Sequence, residues 1–69
     1  MKIKTAAEVL AVVKVLEARA RKVPKPARNA YHQLAKRRIA DARLFADKNT
    51  EHAIVCCREA RHLLDLFAY

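Results

Sequence analysis

His52 and Cys56 stand four residues apart, a spacing that brings two side chains to one face of a helix, and imidazole with thiolate is a zinc-binding pair. A closed structural zinc site needs four ligands, and the sequence offers no second pair at metal spacing. Cys56 therefore reads as a buried, inert thiol. Cys57 reads the same way, because no pattern of Lys or Arg is placed to lower its pKa and no base accompanies it. The two cysteines are adjacent, and adjacent residues of a helix point in different directions, so no disulfide is expected between them. His62 and Asp65, three apart, can hydrogen-bond, but no nucleophile joins them. Glu8 is explained by helix capping, and Glu17, four residues before Arg21, by a surface ion pair. Acid, base, nucleophile and oxyanion donor cannot be assembled together, so the sequence predicts no catalytic residue, no metal and no cofactor.

The chemistry that remains is charge. Between Arg19 and Arg38 the chain carries Arg19, Arg21, Lys22, Lys25, Arg28, Lys36, Arg37 and Arg38, and no acid. The segments before and after carry +1 and −1, so this stretch accounts for the whole formal net charge of +8. Such a corner attracts an acidic protein surface or a phosphate backbone. Arg28, Tyr31 and His32 fall at three- and four-residue spacing and share a helical surface beside it, and Arg and Tyr are common anchors of interfaces. The candidate contact surface is therefore Arg28, Tyr31 and His32 with Lys25 and Lys22: Arg28 as the charged anchor, Tyr31 as the aromatic anchor, His32 at the rim. Arg28 is placed by this reading in the first turn of a helix, where a cation is unfavourable, which argues that it serves contact and not folding.

Helices must position these residues. The chain has 69 residues, no glycine and many alanines, which favours an all-α domain. Thr5 and Glu8 fit a capping box, after a short lead at residues 1–4. Ala6, Val9, Leu10, Val13, Leu16, Ala20 and Val23 then recur at helical spacing, predicting a first helix over about 5–22; Val12 and Val15 lie off that stripe and suggest cover on more than one side. Pro24 and Pro26 are the only prolines and mark a turn over 23–26, with Val23 and Lys25 extended before them and Pro26 opening the next helix. A connector this short predicts an antiparallel hairpin. The second helix is expected over about 27–47, with Tyr31, Leu34, Ala35, Ile39, Ala42, Phe45 and Ala46 inward.

The remaining third of the chain has two competing readings. The polar run Asp47 to His52 can end the second helix, with Asn49 or Thr50 capping a third over about 50–68. Alternatively Ile39, Ala42, Ala46, Asn49, Ala53, Cys56, Ala60, Leu63 and Phe67 form one heptad seam along a single long helix. The break is the favoured reading. Either way Ala53, Cys56, Cys57, Ala60, Leu63, Leu64 and Phe67 make the C-terminal apolar face, with Leu66 and Tyr69 nearby. This exceeds one narrow stripe, and so small a domain needs support, so a homodimer with Leu63, Leu64 and Phe67 in its interface is expected. The longest apolar runs fall short of a membrane span, and cysteine usage suits a soluble chain in the cytoplasm.

Two resemblances add to this. The stretch from Ala42 to Asp65 looks like part of a tetratricopeptide helical hairpin, with Ala53 and Ala60 at its small-residue positions, though it lacks that pattern's glycine and final proline and the chain has room for fewer than two repeats. In length, in its Ala- and Arg-rich helical character and in Lys-Val-Pro-Lys-Pro-Ala-Arg (22–28) followed by Tyr31 and His32, the whole chain resembles very small phage-encoded quorum-sensing anti-activators. Those are early phage products that bind a LuxR-type transcription regulator of the bacterial host and the type IV pilus assembly ATPase. The resemblance implies a dimeric inhibitor that works by protein–protein contact in the host cytoplasm. The alternative is a small basic regulator that binds nucleic acid non-specifically: the turn is Pro-rich, and only Asn29 and Gln33 near the start of the second helix could read bases.

Overall fold

Thr5 opens the first helix by the predicted cap: its hydroxyl oxygen accepts from the Glu8 amide at 3.2 Å, while the Glu8 carboxylate accepts from the same hydroxyl at 3.1 Å. The computed structural model describes residues 5–67; the lead at 1–4, the last residue of the expected third helix and Tyr69 lie outside them. Among the described residues there are three α-helices and no strands: α1 (Ala6–Lys22), α2 (Ala30–Phe45) and α3 (Thr50–Asp65).

The polar run does break the helix. Asn49 leaves helical geometry (φ −152°, ψ 84°) and its side chain accepts from the His52 amide at 3.2 Å, capping α3. Thr50 donates its hydroxyl to the Ala46 carbonyl at 2.9 Å, which satisfies one of the acceptors left open at the end of α2. The first connector differs from expectation. Lys25, Pro26 and Ala27 form a single 3₁₀ turn, so Lys25 is not extended and Pro26 does not open α2. Arg28 is extended, and Asn29 caps α2 by accepting from the amides of Tyr31 and His32 at 3.0 and 3.3 Å. A polar cap better than proline was available three residues on, and the helix starts there.

The pairings give the topology. Arg43 reaches Glu17 while His32 reaches Ala20, so α1 and α2 are antiparallel. Phe45 meets His52 edge-to-face, Arg38 meets Glu59 and His32 meets Phe67, so α2 and α3 are antiparallel as well. The α2–α3 hairpin is the closest packed pair. Its seam is built from small residues: Ala35, Ala42, Ala46, Ala53 and Ala60 are all fully buried, with Cys56 and Cys57 beside them. Ala35 and Ala42, like Ala53 and Ala60, are seven residues apart, which keeps small side chains on the contact line and lets the backbones approach. From α1, Val9, Val13, Leu16 and Ala20 complete the core.

Several inward assignments change. Tyr31 and Leu34 are 53% and 40% exposed, and Val15 faces solvent, so α1 is not covered on that side. Leu64 and Phe67, expected in a dimer interface, are buried within the single chain, and Leu63 is half-buried against the same core. Three helices already use that apolar face, because α1 lies along it, held by Arg19 to Asp65 at 2.7 Å. No helix among the described residues is long and apolar enough to cross a membrane.

The alanine seam sets the first expected outcome. Ala42→Leu puts a branched side chain where none fits and should destabilise the fold by about 1–3 kcal/mol. Chemical denaturation followed by circular dichroism reads it; an unchanged midpoint would show that α2 and α3 are not closely packed at Ala42.

Candidate functional site

A helix leaves its last carbonyls without intrahelical donors, and its C-terminal end is partly negative. At the end of α1 those acceptors are met from further along the chain. The Ala20 carbonyl, which also accepts from the Val23 amide at 3.4 Å, lies 2.9 Å from Nε2 of His32, and since a carbonyl only accepts, Nε2 carries the proton. Arg28 donates from Nε to the Val23 carbonyl at 3.0 Å and from its terminal nitrogen to the Arg21 carbonyl at 3.4 Å.

Both contacts correct the sequence reading. Arg28 is not in the first turn of α2, so the penalty for a cation there does not arise; it sits against the end of α1, where a cation is favoured. It therefore has a structural role. His32 is not a rim residue. It is 4% exposed, with Phe67 packed edge-on against it at 6.1 Å. The signal was present in the sequence: 32, 35, 39, 42 and 46 alternate steps of three and four, and that stripe runs through His32 and not through Tyr31. Tyr31, Lys22 and Lys25 stay exposed.

The ion pairs sort the remaining charge. Arg19 holds Asp65, and that hydrogen bond keeps the Asp65 carboxyl below the usual carboxylate range. His62 is not its partner. Arg38 bridges Glu59 at 2.9 Å and Asp41 at 3.6 Å. Glu17 is taken by Arg43 across the helix interface at 2.7 Å, not by Arg21 on its own helix. Of the eight cations in the basic stretch, Arg19 and Arg38 are thus in ion pairs and Arg28 is in the cap. Arg21, Lys22, Lys25, Lys36 and Arg37 have no acidic partner among the described residues.

Two of these cations, Arg21 and Lys36, border a groove between α1 and α2 with a volume of about 370 Å³. Its floor is Ala20, Ile39 and Ala40 with the edge of His32, and its rim is Arg21, Arg28, Lys36 and the Arg43–Glu17 pair. The basic surface continues along α2 through Gln33, Leu34 and Arg37.

The thiol chemistry is quiet. Cys56 Sγ lies 3.7 Å from His52 Nε2, but no group of three metal-binding side chains occurs among the described residues. Burial pushes both thiols up, and for Cys56 the nearby Asp41 adds to it, so neither is a ready thiolate. No family model, curated protein or solved structure matches the chain.

Removing the cap should show its worth. Arg28→Ala is expected to keep its helices but to lose about 1–2 kcal/mol of stability, and Arg28→Lys to recover only part of it, since an ammonium lacks the fork that reaches two carbonyls. Denaturation midpoints of the two variants decide it; an alanine variant as stable as the parent would remove Arg28 from the cap.

Proposed function

We propose that the chain is a small inhibitor of the phage type that binds a bacterial host protein through its basic corner. One observation carries the reading. The fold draws Glu17, Asp41, Glu59 and Asp65 into ion pairs and leaves five cations of the basic stretch without an acidic partner among the described residues, with Tyr31 and Leu34 of the same stretch exposed. Cations mixed with exposed aromatic and aliphatic groups suit an acidic protein surface, where charge steers the encounter and the apolar groups hold the complex. The resemblance to phage anti-activators supplies the candidates, a LuxR-type regulator and the pilus assembly ATPase, met in the host cytoplasm. Binding in this reading is a property of the single chain.

Non-specific binding of nucleic acid is the second reading, and the same five cations favour it. Against base reading stands Asn29: its side-chain oxygen is spent on the α2 cap, which leaves Gln33 alone of the two polar readers.

The test is capture from bacterial lysate on immobilised chain, with and without nuclease, beside a Lys22→Glu/Lys25→Glu variant. Both lysines are exposed and neither is in an ion pair among the described residues. The expected result is a host protein that survives nuclease and is lost from the variant, with the regulator and the ATPase tested as purified preys. Capture that vanishes with nuclease would move the assignment to nucleic acid.

A further inference from the structure

The α1–α2 groove lies on the side of that helix pair away from α3. The residues lining it come from α1, the connector and α2, while α3 packs against the other side, along Ala35, Ala42 and Ala46. Two antiparallel helices covered on one face leave the groove on their other face as the place where a fourth helix would pack. The chemistry of that groove is uneven in a useful way. Ala20 and Ile39 are small or buried, Ala40 is exposed, and together they form a shallow apolar floor. Four cations and one acid surround it: Arg21, Arg28, Lys36 and Arg43 against Glu17, a net of +3 with His32 neutral. From His32 to Arg43 the floor runs about 16 Å along α2, roughly three helical turns.

We propose that this groove receives an amphipathic acidic helix of the partner, about three turns long. Its apolar stripe lies on Ala20, Ile39 and Ala40, and carboxylates on either side of that stripe meet Arg21 and Lys36. Charge complementarity selects this occupant. A neutral or basic helix would face a net positive rim unpaired, and a phosphate backbone would leave the apolar floor unused. Arg28 and Arg43 are already held by α1 carbonyls and by Glu17, so they present charge at fixed positions and little of their mobility is lost on binding. Arg21 and Lys36 have no acidic partner among the described residues to give up.

The inference rests on the protein-binding reading and names the site and the partner chemistry within it. The probe is a synthetic fluorescent helical peptide of about 14 residues with Leu along one face and Glu on the flanks, titrated at about 150 mM salt, where charges more than about 8 Å apart are largely screened. A second peptide replaces each Leu by Ser, and an oligonucleotide of equal charge is the third ligand. Ala40→Gln adds bulk to the floor without changing charge, and Lys36→Glu reverses one rim charge. Both positions are exposed, and circular dichroism confirms that each variant folds. The expected result is binding of the Leu/Glu peptide that falls about tenfold or more in each variant, about 1.4 kcal/mol per tenfold. The Ser peptide should bind far more weakly, and Lys22→Glu/Lys25→Glu, outside the groove, should stay within about threefold of the parent. Equal binding of the Leu and Ser peptides, or of the oligonucleotide, overturns the proposal, because charge alone would then explain it. So does an Ala40→Gln variant that binds like the parent. If that variant also captures the host protein normally while Lys22→Glu/Lys25→Glu does not, the groove is wrong and the basic-corner reading stands.

Discussion

The end of α1 has to be closed without glycine. The usual closure is a residue in left-handed conformation just past the helix, and the chain has no glycine to adopt it; no described residue has positive φ. Val23 instead turns extended ahead of Pro24; Arg28, from beyond the turn, donates to the Val23 and Arg21 carbonyls, and His32 joins the Val23 amide on the Ala20 carbonyl. This closure ties three parts together. It pins the connector to α1 and sets where α2 begins. It also draws His32 into the core, where the ring meets Phe67 after the end of α3. The groove between α1 and α2 exists because its upper wall is this cap.

The second constraint is size. With alanines along the α2–α3 seam, the core holds few large side chains; Val9, Val13 and Cys56 are the largest that are fully buried. Small residues give close backbone approach but little apolar area, so cross-helix ion pairs take on part of the task of fixing α1: Arg19 to Asp65 on α3 and Arg43 to Glu17 on α2. Exposed pairs of this kind contribute only about 0.2–1 kcal/mol each, so they set register more than stability. Their other effect is on the surface. By consuming acids along the helix interfaces they leave Arg21, Lys22 and Lys25 at the tip of the first hairpin, and Lys36 and Arg37 on α2, without acidic partners among the described residues.

The three helices, the cap at Thr5, the break at Asn49 and the small-residue face of α3 were legible, because capping side chains and apolar spacing are local signals. Reading Pro26 as the first residue of α2 misplaces its start, because the Asn29 side chain caps the helix three residues on and the segment between forms a 3₁₀ turn. The basic stretch was legible as charge but not as function. Which of its members are structural depends on partners far away in sequence: Asp65 for Arg19, Glu59 for Arg38, the α1 carbonyls for Arg28. Tyr31 and His32 are neighbours, and a one-residue error in helix phase exchanges a core residue for a surface one. The expected interface at Leu63, Leu64 and Phe67 meets the same limit in reverse, since nothing local shows that α1 covers that face.

The decisive point is which face of the bundle meets an acidic helix. Amide chemical-shift mapping on isotope-labelled chain during titration with the Leu/Glu peptide answers this residue by residue. The predicted result is a continuous patch of shifted amides over Ala20, Arg21, Lys36, Ala40 and Arg43, with the exposed α3 positions Arg58 and Arg61 unmoved. Shifts centred on α3, or scattered over every exposed cation alike, would contradict it.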